Sequence, residues 1–303
     1  MTDSLPFGAG LDLAAFISLG WDRHASEPRA VADALSERAE TLPADADGAA
    51  AIGLAEHVWL SHLHDAPGLA DWLRTVPAAM DDAPEAGAAL AKARWAVAQL
   101  VPLAGPAPEI AAAARARALQ NVWAHRVAQG RAADALAALN DEWPAALADP
   151  DTARCRGLAA TCNNLAADLR DGRRGDPACD SLMLAAAETS KVLWSRVGTW
   201  VHAERAEYQL ARCHAALGHG AQALAHARAT HAALHANGQA PEADDFEWFY
   251  AWEALAWAGA AAADEPTMVE ARKRMQSRLA AVSDAELRGW CEQSLAEFDA
   301  RPR

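Results

Sequence analysis

The side chains in this chain whose type and spacing could do chemistry fall into a few small groups. Arg205 and Arg212 lie seven residues apart, on one helical face, and flank Tyr208. Two guanidinium forks beside a phenol suit a carboxylate, from an acidic segment or a chain terminus. The same arginines could instead pair with Glu204, Glu207 or acids on the next helix. His231 and His235 are four apart on one face, a spacing compatible with metal ligands, but no HExxH occurs and no carboxylate shares their face. His57 and His64 share a face two turns apart, about 10 Å, too far to hold one ion unaided. His62 and His226 lie off the faces of their neighbours. No metal and no cofactor are therefore expected.

Enzymatic patterns are weak. Asp81-Asp82-Ala83-Pro84-Glu85 has the DDxxE spacing of magnesium-diphosphate sites, but Pro84 breaks the helix that would carry both carboxylates, and no second motif matches it. Cys213 and His214 are adjacent, so on a helix they point apart. No G-x-S-x-G, P-loop or dinucleotide fingerprint is present. The expectation is a protein that binds and does not catalyse.

The elements that position these groups follow from composition. Of 303 residues 52% are hydrophobic, and most of those are alanine, the strongest helix former. Alternating β-branched runs are missing, so the fold is expected to be all-α. Helix breakers recur every 15–25 residues or so, the length of hairpin arms. Helices are predicted near 10–19, 27–41, 47–64, 68–80, 85–101, 108–129, 131–147, 151–170, 177–193, 198–217, 220–236, 242–263, 266–281 and 284–299. Asp149-Pro150 reads as a helix start, and Ser283 with Glu286 as a capping box. The loop Gly105–Pro108 is the softest boundary, separating irregular hairpins (1–105) from regular repeats with C-terminal capping helices (106–303) in one continuous array.

The net charge of −14 disfavours nucleic acid and anionic membrane surfaces. Arg272, Lys273, Arg274 and Arg278 read as one solvated helix face. Five scattered cysteines without CxxC spacing fit a reducing cytosol. Met1 to Gly20 lacks a basic leader and carries Asp3 and Asp12, and the most apolar stretch, Phe249–Ala263, is interrupted by Glu253 and too short to span a bilayer. A cytoplasmic protein is expected.

One register recurs. Asn164-Leu165-Ala166, Gln209-Leu210-Ala211 and Ala254-Leu255-Ala256 place leucines 45 residues apart twice over. Such a period means stacked helical hairpins, each burying its apolar face against its neighbours. These residues resemble tetratricopeptide (TPR) repeats, especially the longer variant of kinesin light chains. Leu210, Ala211, Gly218, Ala223 and Leu224 fall on the family's positions, Asn163-Asn164-Leu165-Ala166 is similar to its NNLA helix, and Trp252, Leu255 and Ala256 match its tryptophan–leucine–small triplet. Val122, Gly130, Ala135 and Leu139 fit more loosely. Trp123 stands where a small residue is usual, which implies wider packing.

The resemblance implies a right-handed superhelical array of about seven hairpins, a TPR-like α-solenoid, with a groove lined from the first helix of each unit. Carried over, the lining is Arg117, Gln120 and Asn121; Asn163, Asn164 and Ala167; Arg205, Tyr208, Gln209 and Arg212; and Tyr250, Glu253 and Trp257. Asn121, Asn164 and Gln209 are equivalent, and such amides can pair either with an extended peptide or with neighbouring helices. The implied partner is a protein or peptide segment, acidic or ending in a free carboxylate. The alternative is a small-molecule sensor in which some of the 12 tryptophans, such as Trp200, Trp248, Trp252 and Trp257, close a pocket.

Overall fold

The computed structural model describes residues 7–102, 105–172, 175–240 and 242–301; Asp3 and the helix breaker Pro241 lie outside them. The described residues form helices and no strands. In chain order the α-helices are α1 (Leu13–Arg23), α2 (Pro28–Arg38), α3 (Ala46–His57), α4 (Ala66–Trp72), α5 (Pro84–Ala98), α6 (Ala112–Ala128), α7 (Ala132–Ala148), α8 (Thr152–Gly172), α9 (Pro177–Val197), α10 (Trp200–Ala216), α11 (Gly220–Ala236), α12 (Asp245–Ala261), α13 (Glu265–Leu279) and α14 (Ala285–Asp299). An all-α fold is thus established, and the helices pack in neighbouring pairs.

Local chemistry sets the ends. Carboxylates cap α1, α3, α4, α9, α12, α13 and α14, each accepting from a first-turn N–H. Two starts differ from expectation. Asp284, not Ser283, caps α14, accepting from the amides of Glu286 and Leu287 at 2.9 and 3.0 Å. Asp151, not Asp149, receives the amide of Ala153, at 2.9 Å, so Pro150 precedes α8 rather than opening it. A charged oxygen nearer the first turn outcompetes the residue upstream.

The predicted helix 47–64 is broken in character. α3 ends at His57 and continues as one π-helical turn, Val58–His62, closed by Leu63 N–H donating to the Val58 carbonyl at 2.9 Å. The predicted helix 68–80 stops as α4 at Trp72, because Pro77 follows five residues on and cannot continue the ladder.

The chain divides into two compact units, Met1–Ala135 and Leu136–Arg303, a division within α7 rather than at Gly105–Pro108. The cause is α6. Its Asn121, Val122 and Trp123 are buried in the first unit, where α6 packs on α5 and on the π turn. Trp123 is fully buried, so the wide position is filled by its own ring.

In the second unit α8 pairs with α9, α10 with α11 and α12 with α13, while α10 also touches both α8 and α12. Ala166, Ala211 and Ala256, one register apart, are all fully buried. Ala211 packs with Ala223, Ala227, Ala254 and Ala258 in a layer of methyl groups that lets three helices close on one another. At the α11 start a Cβ on Gly220 would come within 2.4 Å of the Ala262 Cα, so glycine is the only residue this approach admits.

A second periodicity lies in the backbone. Left-handed residues follow α6, α8, α10 and α12 at Gly130, Gly175, Gly218 and Ala263, spaced 45, 43 and 45 residues apart. The bonds of Gly130, Gly218 and Ala263 repeat: the next residue's N–H reaches back to Arg126, His214 and Gly259, at 2.8, 2.9 and 2.9 Å, which is the Schellman closure. Ala263 does this at φ 54, where a Cβ is strained. Ala263→Gly should therefore stabilise the protein by about 1 kcal/mol, read as a higher urea midpoint with unchanged m-value.

Candidate functional site

α8, α10 and α12 bring polar residues of the second unit around two clefts. The first, of about 230 Å³, is lined by Asn163, Glu204, Arg205, Tyr208, Gln209, Phe246, Glu247 and Tyr250. Five of the expected groove residues therefore meet in one place: Asn163, Arg205, Tyr208, Gln209 and Tyr250. The second cleft, of about 580 Å³, contains Arg170, Arg212, Trp257, Glu297 and Arg301 among its walls.

Between them lies a buried network centred on Glu253, whose side chain is 1% exposed. Its Oε2 accepts from Tyr208 Oη at 2.6 Å. Its Oε1 accepts from Trp257 Nε1 at 3.1 Å and pairs with Arg212. Arg212 also donates to Tyr208 Oη at 3.0 Å and lies 4.9 Å above the Trp257 ring. Burial, with the adjacent Glu253 charge, pushes the Tyr208 phenol above its ordinary range, so it stays a donor. Of the two sequence readings for the arginines, ion pairing with the next helix is the one formed: Arg212 with Glu253, and Arg205 with Glu247. Arg205 nevertheless keeps 60% of its side chain exposed, whereas Arg212 keeps 12%. Glu207 is taken by Lys191 and by His226, at 2.5 and 2.7 Å.

The amides behave differently from a uniform ladder. Asn121 lies in the first unit and is engaged there: its Oδ1 accepts from Ser61 and His57, at 2.9 and 3.0 Å, and its Nδ2 donates to Glu56 at 2.9 Å. This is the helix-to-helix use of the amide, and it corrects the expectation that Asn121 faces a peptide. Arg117 is exposed and Gln120 half-buried on the same helix, α6. Asn164 is exposed and accepts from Asn163 at 3.5 Å. Gln209 is buried; its Oε1 accepts from Arg170 at 3.1 Å, while its Nε2 has no protein partner.

Sequence reasoning does not assign Glu204 to the cleft. It is 1% exposed, and its Oε2 also lacks a partner. Burial, and next the charge of Glu247, raise its carboxyl to about 8, so at neutral pH it carries a proton to donate. The first cleft thus presents two buried donors, Glu204 and Gln209, beside an exposed guanidinium. Phe246 and Glu247 likewise escape the sequence reading. A signal existed: Arg205–Glu247, Arg212–Glu253 and Tyr208–Glu253 join residues 42, 41 and 45 apart, about one repeat, so the partner of a residue on one helix could be sought one period later.

Trp257 lies apart from Trp248 and Trp252 in its ring contacts. Trp248 and Trp252 both pack on His231, at 5.6 and 4.2 Å, and Trp257 packs on Phe298 at 5.1 Å. His235 also meets Trp248 edge to face, at 4.8 Å, so the His231/His235 pair is held by rings. Histidines gather in both units: His214 lies against His219 and His226, at 5.5 and 5.3 Å between rings, in the second, and in the first His24, His57 and His62 bring one ring nitrogen each within 4.8 Å of one another. No helix of the described residues is long and apolar enough to cross a membrane. No protein-family model and no curated protein matches the chain.

Removing the acceptor from the buried network should cost far more than a surface change. Glu253→Ala strands the charge of Arg212 and should lower stability by about 3–5 kcal/mol, measured by denaturant unfolding. Glu204 acts in the opposite sense. The folded chain keeps a proton that the unfolded chain releases near 4.5, so this group makes stability fall as pH rises from about 4.5 to about 8. Glu204→Gln should flatten that slope and raise the melting temperature at the alkaline end.

Proposed function

We propose that this chain is a non-catalytic recognition module of the TPR-like α-solenoid kind, in which α8, α10 and α12 of the second unit hold an extended segment of another protein. The observation that carries this reading is the pair of buried, unpartnered donors, Gln209 Nε2 and Glu204, in a cleft whose rim holds the exposed Arg205. A peptide backbone supplies carbonyl acceptors for the donors, and a side-chain or terminal carboxylate suits the guanidinium. The recurrence of buried alanine at 166, 211 and 256, and of left-handed helix ends at 43–45 residue intervals, supports a stack of equivalent hairpins as the framework; its winding as a right-handed superhelix is what the TPR resemblance implies. Five free, buried cysteines suit a reducing cytoplasm.

The second cleft favours one other reading. Its volume of about 580 Å³ lies in the range of small-molecule sites, and three arginines reach it. A small acid bound there would make the chain a sensor.

The two readings separate in one experiment. A random peptide library with free C-termini is selected on the immobilised full chain, and the affinity of a selected peptide is measured by fluorescence anisotropy. Acidic or carboxylate-terminated peptides should be enriched. Arg205→Glu should weaken them at least about tenfold, or 1.4 kcal/mol, with helical circular dichroism unchanged. Arg212 is unsuitable as a probe because its charge is structural. No enrichment, or equal affinity in Arg205→Glu and Gln209→Leu, would reject the cleft as a peptide site.

A further inference from the structure

The first unit contains a cluster that the peptide reading does not use. His24 follows the end of α1, His57 ends α3, and His62 ends the π turn. One ring nitrogen from each lies within 4.8 Å of the others, and all three rings are partly exposed. The ring centroids are 5.0 Å (His24–His57), 4.9 Å (His24–His62) and 4.9 Å (His57–His62) apart.

The π turn is what joins two of them. Residues five apart on an α-helix point to different sides. Where the backbone bond runs from i to i+5, they come nearly one above the other. His57 and His62 are so related, and their Nε2 atoms stand 3.2 Å apart. Two imidazole nitrogens bound to one tetrahedral zinc at about 2.0–2.1 Å would stand roughly 3.3 Å apart.

The outer partners orient the rings in the sense a metal needs. Glu56 carboxylate accepts from Asn121 Nδ2, so Asn121 turns its carbonyl to His57 and receives Nδ1–H at 3.0 Å. Lys92 Nζ holds the other Glu56 oxygen at 3.1 Å. His24 Nδ1 bonds the Trp21 carbonyl, which can only accept. Both Nε2 lone pairs are therefore turned away from these partners, and that of His57 is turned toward His62. A ligating histidine almost always donates its second N–H to such a carbonyl or carboxylate chain. Without a metal, the short Nε2–Nε2 contact is satisfied by a proton on His62.

Burial and the neighbouring rings also favour neutral imidazole. The His57 ring is held below its ordinary value chiefly by desolvation, and His62 is lowered to about 4 by desolvation and then by His57 and His24. Neutral imidazole is the form that binds a cation.

We propose that His24, His57 and His62 form a three-histidine site for a divalent transition ion of the zinc type, bound through Nε2 and leaving a fourth position for water or an added ligand. Imidazole sets of this kind take zinc, nickel or copper and not magnesium or calcium. His62 exchanges its Nε2 proton for the Nδ1 tautomer on binding, so no net proton is released.

The test uses the full-length chain without an affinity tag, stripped with chelator and titrated with zinc chloride by calorimetry. One zinc per chain is expected, with zinc-edge absorption showing three imidazole nitrogens at about 2.0–2.1 Å. His24→Ala and His62→Ala should each weaken binding by at least about tenfold, a loss that even outer-shell changes bring. The double variant His231→Ala/His235→Ala should bind as the parent does. Melting curves recorded without metal show that each variant is folded. No binding by the parent chain, unchanged affinity in both folded single variants, or loss only in the His231/His235 variant would overturn the proposal.

Discussion

The second unit depends on how closely its helices can approach. Alanine at 166, 211 and 256, and glycine at 220, remove the side-chain bulk that would hold neighbouring axes apart. The methyl layer of Ala211, Ala223, Ala227, Ala254 and Ala258 contributes little area per residue, so its value is geometric. It brings α10 and α12 near enough for Arg205 to reach Glu247 and for Arg212 and Tyr208 to reach Glu253. Larger residues at these positions would part Arg212 from Glu253 and leave the buried Glu253 carboxylate without its cation.

That dependence explains the mixed character of the cleft residues. Those at the centre, Arg212, Tyr208, Glu253 and Trp257, satisfy one another and act as a cross-brace between helices. Such a brace gives more specificity of packing than net stability, since two buried charges must first lose their water. The residues toward the first cleft are less complete. Glu204 and Gln209 each retain an unmatched polar atom in a dry setting. A native chain tolerates such atoms at a cost, and incomplete satisfaction beside an exposed arginine is where recognition is best sought.

The architecture was legible to the extent that it is local. Alanine content, breaker spacing and capping carboxylates placed every α-helix to within a few residues or one turn, apart from the C-terminal reach of the predicted 47–64 and 68–80 helices, and α11 matches its predicted span of 220–236. The misassignments come from tertiary contact. Asn121 fits a groove position by register, yet α6 carries it into the first unit, where Glu56, His57 and Ser61 use its amide. The arginine pair is recognisable on α10, but whether its partners come from within or from outside depends on where α12 lies, which no spacing on α10 reveals. His62 escapes a reading by helical faces because an ideal helix turns it away from His57.

The π turn has a wider consequence. It adds a residue to a helical circuit without lengthening the path in proportion, so the angular phase of the chain is reset within Val58–His62. A helical wheel drawn continuously from Ala46 therefore assigns the wrong side to the last residues of this helix, Ser61 and His62. Insertion or loss of one residue in this stretch would leave composition and charge almost unaltered while redirecting the downstream ring by a large fraction of a turn. Alignment gaps here therefore carry stereochemical meaning, unlike gaps in a solvent-facing loop.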